Sequence, residues 1–277
     1  MNPYPIIKYK KMTIQKFSYH THTTFSDGSN SVEEMLEQAV NLGWNEIGIS
    51  DHLQIHKYID KVAEYHIYER IQKKTFKERE SDLLKHIEHI RKAAKKYPLR
   101  VLIGLEVDYF SYNGWEEEFR SFIKGMDVDY LILGSHFCFD ENDMIMDFGD
   151  ASKPAHISNH FNNMQKGIES GLFKFVAHID YIRKYQPMRM EDFKPEILGV
   201  LDALKKHNVA TEFNSKGFSI GIGGPSPSNW VLEELRNRNI PIAISDDAHS
   251  VNMLGIHFEE AESLLQQLNY TNRWKFG

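Results

Sequence analysis

The sequence predicts an α/β fold with a mainly parallel sheet. Three observations predict it. Seven short apolar runs alternate with amphipathic helical patterns, no Gly/Ser/Pro-rich linker or fixed-period repeat interrupts them, and nearly every apolar run ends in His, Asp or Glu. Closure into a barrel is favoured over an open doubly wound sheet, although periodicity by itself leaves both open. Residues 1–277 are read as a single domain, since α/β barrels reach this length as one unit.

The predicted strands are Phe17–His20, Glu46–Ser50, Arg100–Leu105, Tyr130–Gly134, Phe173–Ala177, Val209–Phe213 and Pro241–Ile244. The first predicted helix, Ser31–Leu42, carries Val32, Met35, Leu36, Ala39 and Val40 at helical spacing. Ser31 suits its N-cap, and Glu33 and Glu34 suit the positive end of the helix. The second, Glu78–Lys96, turns Leu83, Leu84, Ile87, Ile90 and Ala94 inward behind a charged face. Further helices are predicted near Glu116–Lys124, Pro154–Ser170, Lys194–His207, Ser228–Arg238 and Glu259–Gln267. His56–Lys77 is polar and aromatic without clean periodicity and reads as a lid or insertion over one end of the sheet.

Composition narrows the function. Hydrophobic residues make up 41% and charged residues 26%, ordinary for a globular protein. The net charge of −6 argues against a chain that coats nucleic acid. One cysteine, Cys138, rules out an intramolecular disulfide framework and a Cys-rich zinc ribbon, and it reads as buried filler. No run of about 18 apolar residues suggests a membrane span, and the basic start lacks an apolar signal core. The expected location is the cytoplasm, with no membrane partner.

The 14 histidines matter by their placement. The successive strand runs end in His20-Thr-His22, Asp51-His52, Glu106, Ser135-His136, His178, Glu212 with Asn214, and Asp246-Asp247-Ala248-His249. In a parallel barrel these ends converge on one mouth. Residues i and i+2 of an extended chain share a face, so His20/His22 and Asp247/His249 can each offer a pair. Imidazole and carboxylate without thiolate suit zinc, manganese or iron. Eight or more donors exceed one tetrahedral ion, which implies a multinuclear site with Glu106 as the bridge. By contrast, His86/His89 and His156/His160 read as solvated helix positions without the HExxH pattern. His66 and His207 have no supporting context, and His56 and His257 lie near the presumed mouth.

HTHTTFSDG at 20–28, SDH at 50–52, GLEVDY at 104–109, GSHF at 134–137, AHIDYIRKY at 177–185 and DAH at 247–249 resemble the polymerase and histidinol phosphatase (PHP) superfamily. The motifs run in order from residue 17 to about 260, and AHIDYIRKY with TEFNSKGF…PSPS at 211–228 is most similar to its monofunctional histidinol-phosphatases. The resemblance implies a distorted (β/α)7 TIM-like barrel and a trinuclear centre at the C-terminal strand ends. It places His20, His22, Glu106 and Asp247 on one metal, Glu106, His136 and His178 on a second, and Asp27, His52 and His249 on a third. Some family members carry a His near the position of Asp27.

The implied activity is hydrolysis of L-histidinol phosphate in histidine biosynthesis, with a metal-bridging hydroxide as nucleophile and His249 or Asp247 protonating the alkoxide. Arg183 stands where the family binds phosphate, Asn214, Gly217 and Glu212 would line the substrate side with His178, and Asp51 and Asp108 would orient ligand histidines. The GIGGPSP stretch reads as turn chemistry, and the role of Asp246 stays open. The implied partner is a small phosphate ester rather than nucleic acid, and the chain is expected as a monomer or homodimer. Rival readings are a phosphotyrosine or sugar-phosphate phosphatase and a PHP exonuclease. A non-catalytic remnant would show gaps in the ligand motifs, and every motif position is filled.

Overall fold

The structure is a computed structural model, and it describes residues 13–62, 72–185 and 189–277. Its strands are β1 (Glu46–Ile49), β2 (His52–Ile55), β3 (Gln72–Lys73), β4 (Arg100–Asp108), β5 (Tyr130–Gly134), β6 (Cys138–Phe139), β7 (Ile145–Met146), β8 (Phe175–Val176), β9 (Ala210–Asn214) and β10 (Ile242–Ser245). Its helices are α1 (Val32–Asn41), α2 (Phe76–Ala94), α3 (Trp115–Ile123), α4 (Pro154–Glu169), α5 (Lys194–His207), α6 (Asn229–Asn237) and α7 (Phe258–Gln267).

The main sheet runs β10-β9-β8-β5-β4-β2-β3, with β1 on the first half of β4, and its pairs are parallel. β1 and β2 keep one register against β4, Ile49 facing Ile103 and His52 facing Glu106, and so act as a single strand interrupted at Ser50-Asp51. The first predicted strand is not a ladder. Residues 18–22 instead bridge both edges of the sheet. Ser18 and Thr21 carbonyls accept from Gly48 and Ser50 N–H at 2.8 Å, while His22 N–H donates to Ala248 at 2.8 Å. Those bonds complete the circuit of a distorted barrel.

The helices follow their local chemistry. Ser31 caps α1 in a reciprocal pair with Glu34, and Val32, Met35, Leu36 and Ala39 are buried. α2 begins two residues earlier than the periodicity suggests, because Thr75 and Glu78 form the same capping box. The described ends of 56–77 are built into the sheet edge rather than standing over it. Ile59 and Val62 are buried, and Gln72 and Lys73 pair with Gln54 and Ile55. Residues 63–71, with His66, lie outside the described residues. Among the described residues no helix is long and apolar enough to cross a membrane.

The barrel interior explains where the chemistry can sit. Along β4, Leu102, Gly104, Glu106 and Asp108 alternate onto one face. The lower part of that interior is apolar: Tyr19, Leu102, Tyr130, Ile132, Phe175 and Ala210 pack together, with Trp274 and Phe276 against them. Tyr130 fills the space that side chains on Gly48 and Gly104 would need. A Cβ on Gly48 would lie 2.0 Å from the Tyr130 hydroxyl, and one on Gly104 2.3 Å from its ring. Tyr130 also donates to the Tyr19 carbonyl at 2.6 Å. With this end packed shut, polar side chains gather at the other end.

Candidate metal centre

Glu106 lies at the focus. It is fully buried, and its two oxygens face five histidines: Oε2 is 3.1 Å from His20, 3.5 Å from His22 and 3.0 Å from His52, and Oε1 is 3.4 Å from His136 and 3.0 Å from His178. Asp247 Oδ1 lies 3.3 Å from His22 Nε2 and 3.4 Å from His249 Nδ1. Asp27 Oδ2 lies 3.2 Å from His249 and 3.6 Å from His52. The structure thus brings all nine sequence candidates for metal ligation together.

The donor atoms form overlapping groups. The donor atoms cluster as His22/Asp27/His52/His249, His20/Glu106/His178, His20/His22/Asp247 and His52/Glu106/His136, each within 4.8 Å. Glu106 Oε1 faces both His136 and His178, whose rings are 5.0 Å apart, and His20 and His22 are each shared between two groups.

The donor set fits divalent cations on its own chemistry. His20 Nε2, both His22 nitrogens, His52 Nδ1, His178 Nδ1 and Glu106 Oε2 are buried without a hydrogen-bond partner among the described residues. Unpaired buried polar atoms cost about 1–3 kcal/mol each, so such a concentration points to ions as the missing partners. His178 and Asp247 also adopt φ of 22° and 46°, in the left-handed region that non-glycine residues avoid.

Electrostatics shows how strongly these groups need one another. Burial would raise the Glu106 carboxyl, yet His20, His52 and His136 hold it well below the usual carboxylate range. Burial opposes protonation of His20, but Glu212, Glu106 and Asp247 raise it well above its ordinary value. His22 is lowered to about 4 by burial and by neighbouring His249 and His52.

Carboxylates behind the cluster aim the rings. Asp108 holds His136 Nδ1 at 2.9 Å and its backbone N–H at 2.9 Å. Glu212, expected to line the substrate side, instead holds His20 Nδ1 at 2.6 Å and accepts from the His178 N–H at 2.8 Å. Replacing Asp108 with asparagine is expected to weaken metal affinity roughly 10- to 100-fold. Titration against a competing chelator checks this, and an unchanged affinity would show that His136 needs no such support.

Several expectations are corrected. The Asp51 carboxylate is hydrogen-bonded to no ligand histidine among the described residues. Its carboxylate accepts from Thr23 N–H, Thr23 Oγ1 and Ser26 Oγ and pairs with His86 Nε2 at 2.8 Å, shaping the loop that carries Asp27. His86 is not solvated: its ring stacks on Phe25 at 3.9 Å, whereas His89 stays exposed beside Glu33. His156 and His160 are buried as well, and His160, lowered to about 4 by burial, bonds the Phe137 carbonyl. His56 is buried among Phe110, Tyr112 and Tyr58, and His257 bonds Ser219 and Glu260.

Arg183 donates through Nη2 to the Gly224 and Pro225 carbonyls, and its Nε lies 3.7 Å from Asp180 Oδ2. Gly217 is needed for packing, since a Cβ there would lie 2.8 Å from Gly224 O and Ser226 N. Asn214 is engaged by Glu212 and Asp247. Asp246 is no ligand: it accepts from Ser18 and Gly255. Cys138 is buried in β6 with its thiol pushed up by burial, consistent with filler.

A cleft of about 250 Å3 opens onto the cluster. Besides His178 and other candidate ligands it is lined by Tyr181, Lys184, Tyr185, Lys216 and Ile220, which sequence reasoning missed. Lys216 lies two residues beyond the end of β9.

The PHP domain family matches residues 18–216. A histidinol-phosphatase of Bacillus subtilis is 24% identical over 272 residues, covering 89% of this chain and 98% of that protein. The DNA polymerase/3'-5' exonuclease PolX of the same organism is 25% identical over 245 residues, covering 86% of this chain but 35% of that protein. The crystal structure of histidinol phosphate phosphatase from Lactococcus lactis, complexed with zinc, L-histidinol and phosphate, superposes with a TM-score of 0.67 at 16% identity, covering 96% and 98% of the two chains. The family match spans most of the barrel and includes seven of the nine residues gathered at its mouth, so the chain belongs to the PHP domain family.

Proposed function

We propose that the protein is a metal-dependent phosphomonoester hydrolase that converts L-histidinol phosphate and water to L-histidinol and phosphate, as a single-domain cytoplasmic enzyme of histidine biosynthesis. The carrying observation is the Glu106-centred cluster, six of whose buried polar atoms have no hydrogen-bond partner among the described residues. Its nine side chains and shared carboxylate suit a trinuclear centre of zinc, manganese or iron. Near-full-length similarity to the Bacillus subtilis histidinol-phosphatase supports the substrate.

Bound cations would supply Lewis acidity and lower the pKa of water. The chain itself supplies position. Glu106 ties three sides of the barrel to one point, while Asp108 and Glu212 lock the rings of His136 and His20. The overall step breaks the bond from phosphorus to the alkyl oxygen, adds the water oxygen to phosphorus and returns a proton to the alkoxide. Of the two candidates for that proton, Asp247 is the weaker. Although buried, it is held well below the carboxylate range by Lys216 and His20, so it stays ionised. His249 lines the cleft and is the remaining candidate.

Phosphate release from L-histidinol phosphate, phosphotyrosine and a sugar phosphate tests the reading. We expect kcat/KM for histidinol phosphate to exceed the others by at least about 10-fold, on the order of one well-placed recognition contact. Equal rates would favour a general phosphatase, and no release from any monoester would reject the activity.

A further inference from the structure

We propose that His86, on the outer helix α2, positions the ligands of one ion site, the His22/Asp27/His52/His249 group, and so sets the affinity of that site alone. The proposal rests on the reading of the donor set as a metal centre and names a residue outside the set on which one ion depends. This group is the outermost of the four: Asp27 and His249 are half-buried, whereas every donor of the other three is buried. Asp108 stands behind the His136 ring and Glu212 behind the His20 ring. No carboxylate from outside the donor set does the same for the His22 or His52 ring among the described residues, so these ligands are placed by other means.

Asp51 supplies the means, because its carboxylate bonds the chain next to the ligands. It accepts from the Thr23 N–H at 2.7 Å and from Thr23 Oγ1 at 2.8 Å, one residue after His22. It accepts from Ser26 Oγ at 2.6 Å, one residue before Asp27. Asp51 itself immediately precedes His52. The loop between these ties has no slack. The Ser26 and Gly28 N–H groups both return to the Thr23 carbonyl, at 3.1 and 3.0 Å, and a Cβ on Gly28 would lie 2.6 Å from the His22 carbonyl oxygen. A shift of this one carboxylate therefore displaces His22, Asp27 and His52 together.

His86 fixes the carboxylate from outside the loop. Its Nε2 meets Asp51 Oδ2 at 2.8 Å, and an ionised carboxylate only accepts, so the ring donates. Phe25 holds that ring in turn, lying flat against it at 3.9 Å with an angle of 2° between the planes, and the Arg79 guanidinium lies 4.1 Å from the centre of the Phe25 ring. His86 lines a second cleft, of about 600 Å3, that shares no described lining residue with the cleft over the donor set. A change at His86 thus leaves the walls of the substrate cleft in place and reaches the ions through Asp51.

Zinc titration of the whole chain against a competing chelator, without substrate, tests this. Asp27→Asn removes a ligand and marks the binding step that belongs to the group. We expect His86→Leu to weaken that same step roughly 10- to 100-fold and to leave the others unchanged. His86→Gln keeps an N–H donor for Asp51 and is expected to recover most of the loss. Ser26→Ala cuts the tie beside Asp27 while leaving α2 intact, and it is expected to weaken the same step. A role in packing alone would lower the melting temperature of the metal-free protein and either spare every zinc step or weaken all of them alike, and each of these results overturns the proposal. If His86→Leu does not fold, Ser26→Ala decides, and unchanged zinc binding there overturns the proposal. A parent chain that takes up no zinc overturns it too. A parent whose variants show the selective loss, yet which leaves histidinol phosphate intact when loaded, rejects the substrate and keeps the role of His86.

Discussion

Glu106→Gln is expected to strip the protein of metal and to lower phosphate release on the order of 1,000-fold or more. The substitution keeps the shape and changes two things. It removes the buried negative charge that five imidazoles converge on. It also replaces one acceptor oxygen with an NH2 group, which meets nitrogen lone pairs where a cation belongs. No neighbour can substitute, because Glu106 is the only carboxylate shared by the His20/His178 and His52/His136 clusters among the described residues. Elemental analysis and a phosphate-release assay check the outcome, with circular dichroism to confirm that the barrel persists. Full metal content in a folded Glu106→Gln variant would remove Glu106 from its central place.

The second large effect is that of chelation. Exhaustive chelator treatment is expected to abolish phosphate release and to lower the melting temperature by about 10 °C. The size follows from linkage: ligand at about 1,000 times its dissociation constant stabilises the folded state by about 4 kcal/mol, and 1 kcal/mol moves a chain of this size by roughly 2–4 °C. The structure supplies the reason for the loss. Removing the ions leaves His20, His22, His52, His178 and Glu106 with buried atoms that nothing in the described protein satisfies. Restoring zinc, manganese and iron(II) one at a time, and recording activity with melting temperature, identifies the working metal. Activity that survives chelation with no metal detected would reject the mechanism.

Much of the donor set was legible because a parallel barrel converts sequence position into place. A His or Glu directly after an apolar run is carried to the mouth whatever its distance along the chain, which brought His20, Glu106, His178 and Asp247 together. Side chains a few residues beyond a strand escape that rule. Arg183 and Lys216 both follow strand ends, and only the path of each turn decides that one reaches Gly224 and Pro225 while the other reaches Asp247. The helical histidines show the same limit. His86 and His89 are three residues apart on α2, yet one side chain stacks on Phe25 and the other faces solvent, because the boundary of the buried face falls between them. The broken strand at Ser50-Asp51 was invisible for another reason. Its continuity lies in the register against β4, and register is a property of two segments.

The tyrosine plug in the barrel has a consequence for substitution. Gly48 and Gly104 each leave room for the ring of Tyr130, and an alanine at either would collide with it. A larger residue at 104 is therefore expected to need a smaller one at 130, and one at 48 would also press on the Tyr19 backbone at 3.0 Å. Residues far apart along the chain are in this way coupled in which substitutions each can accept.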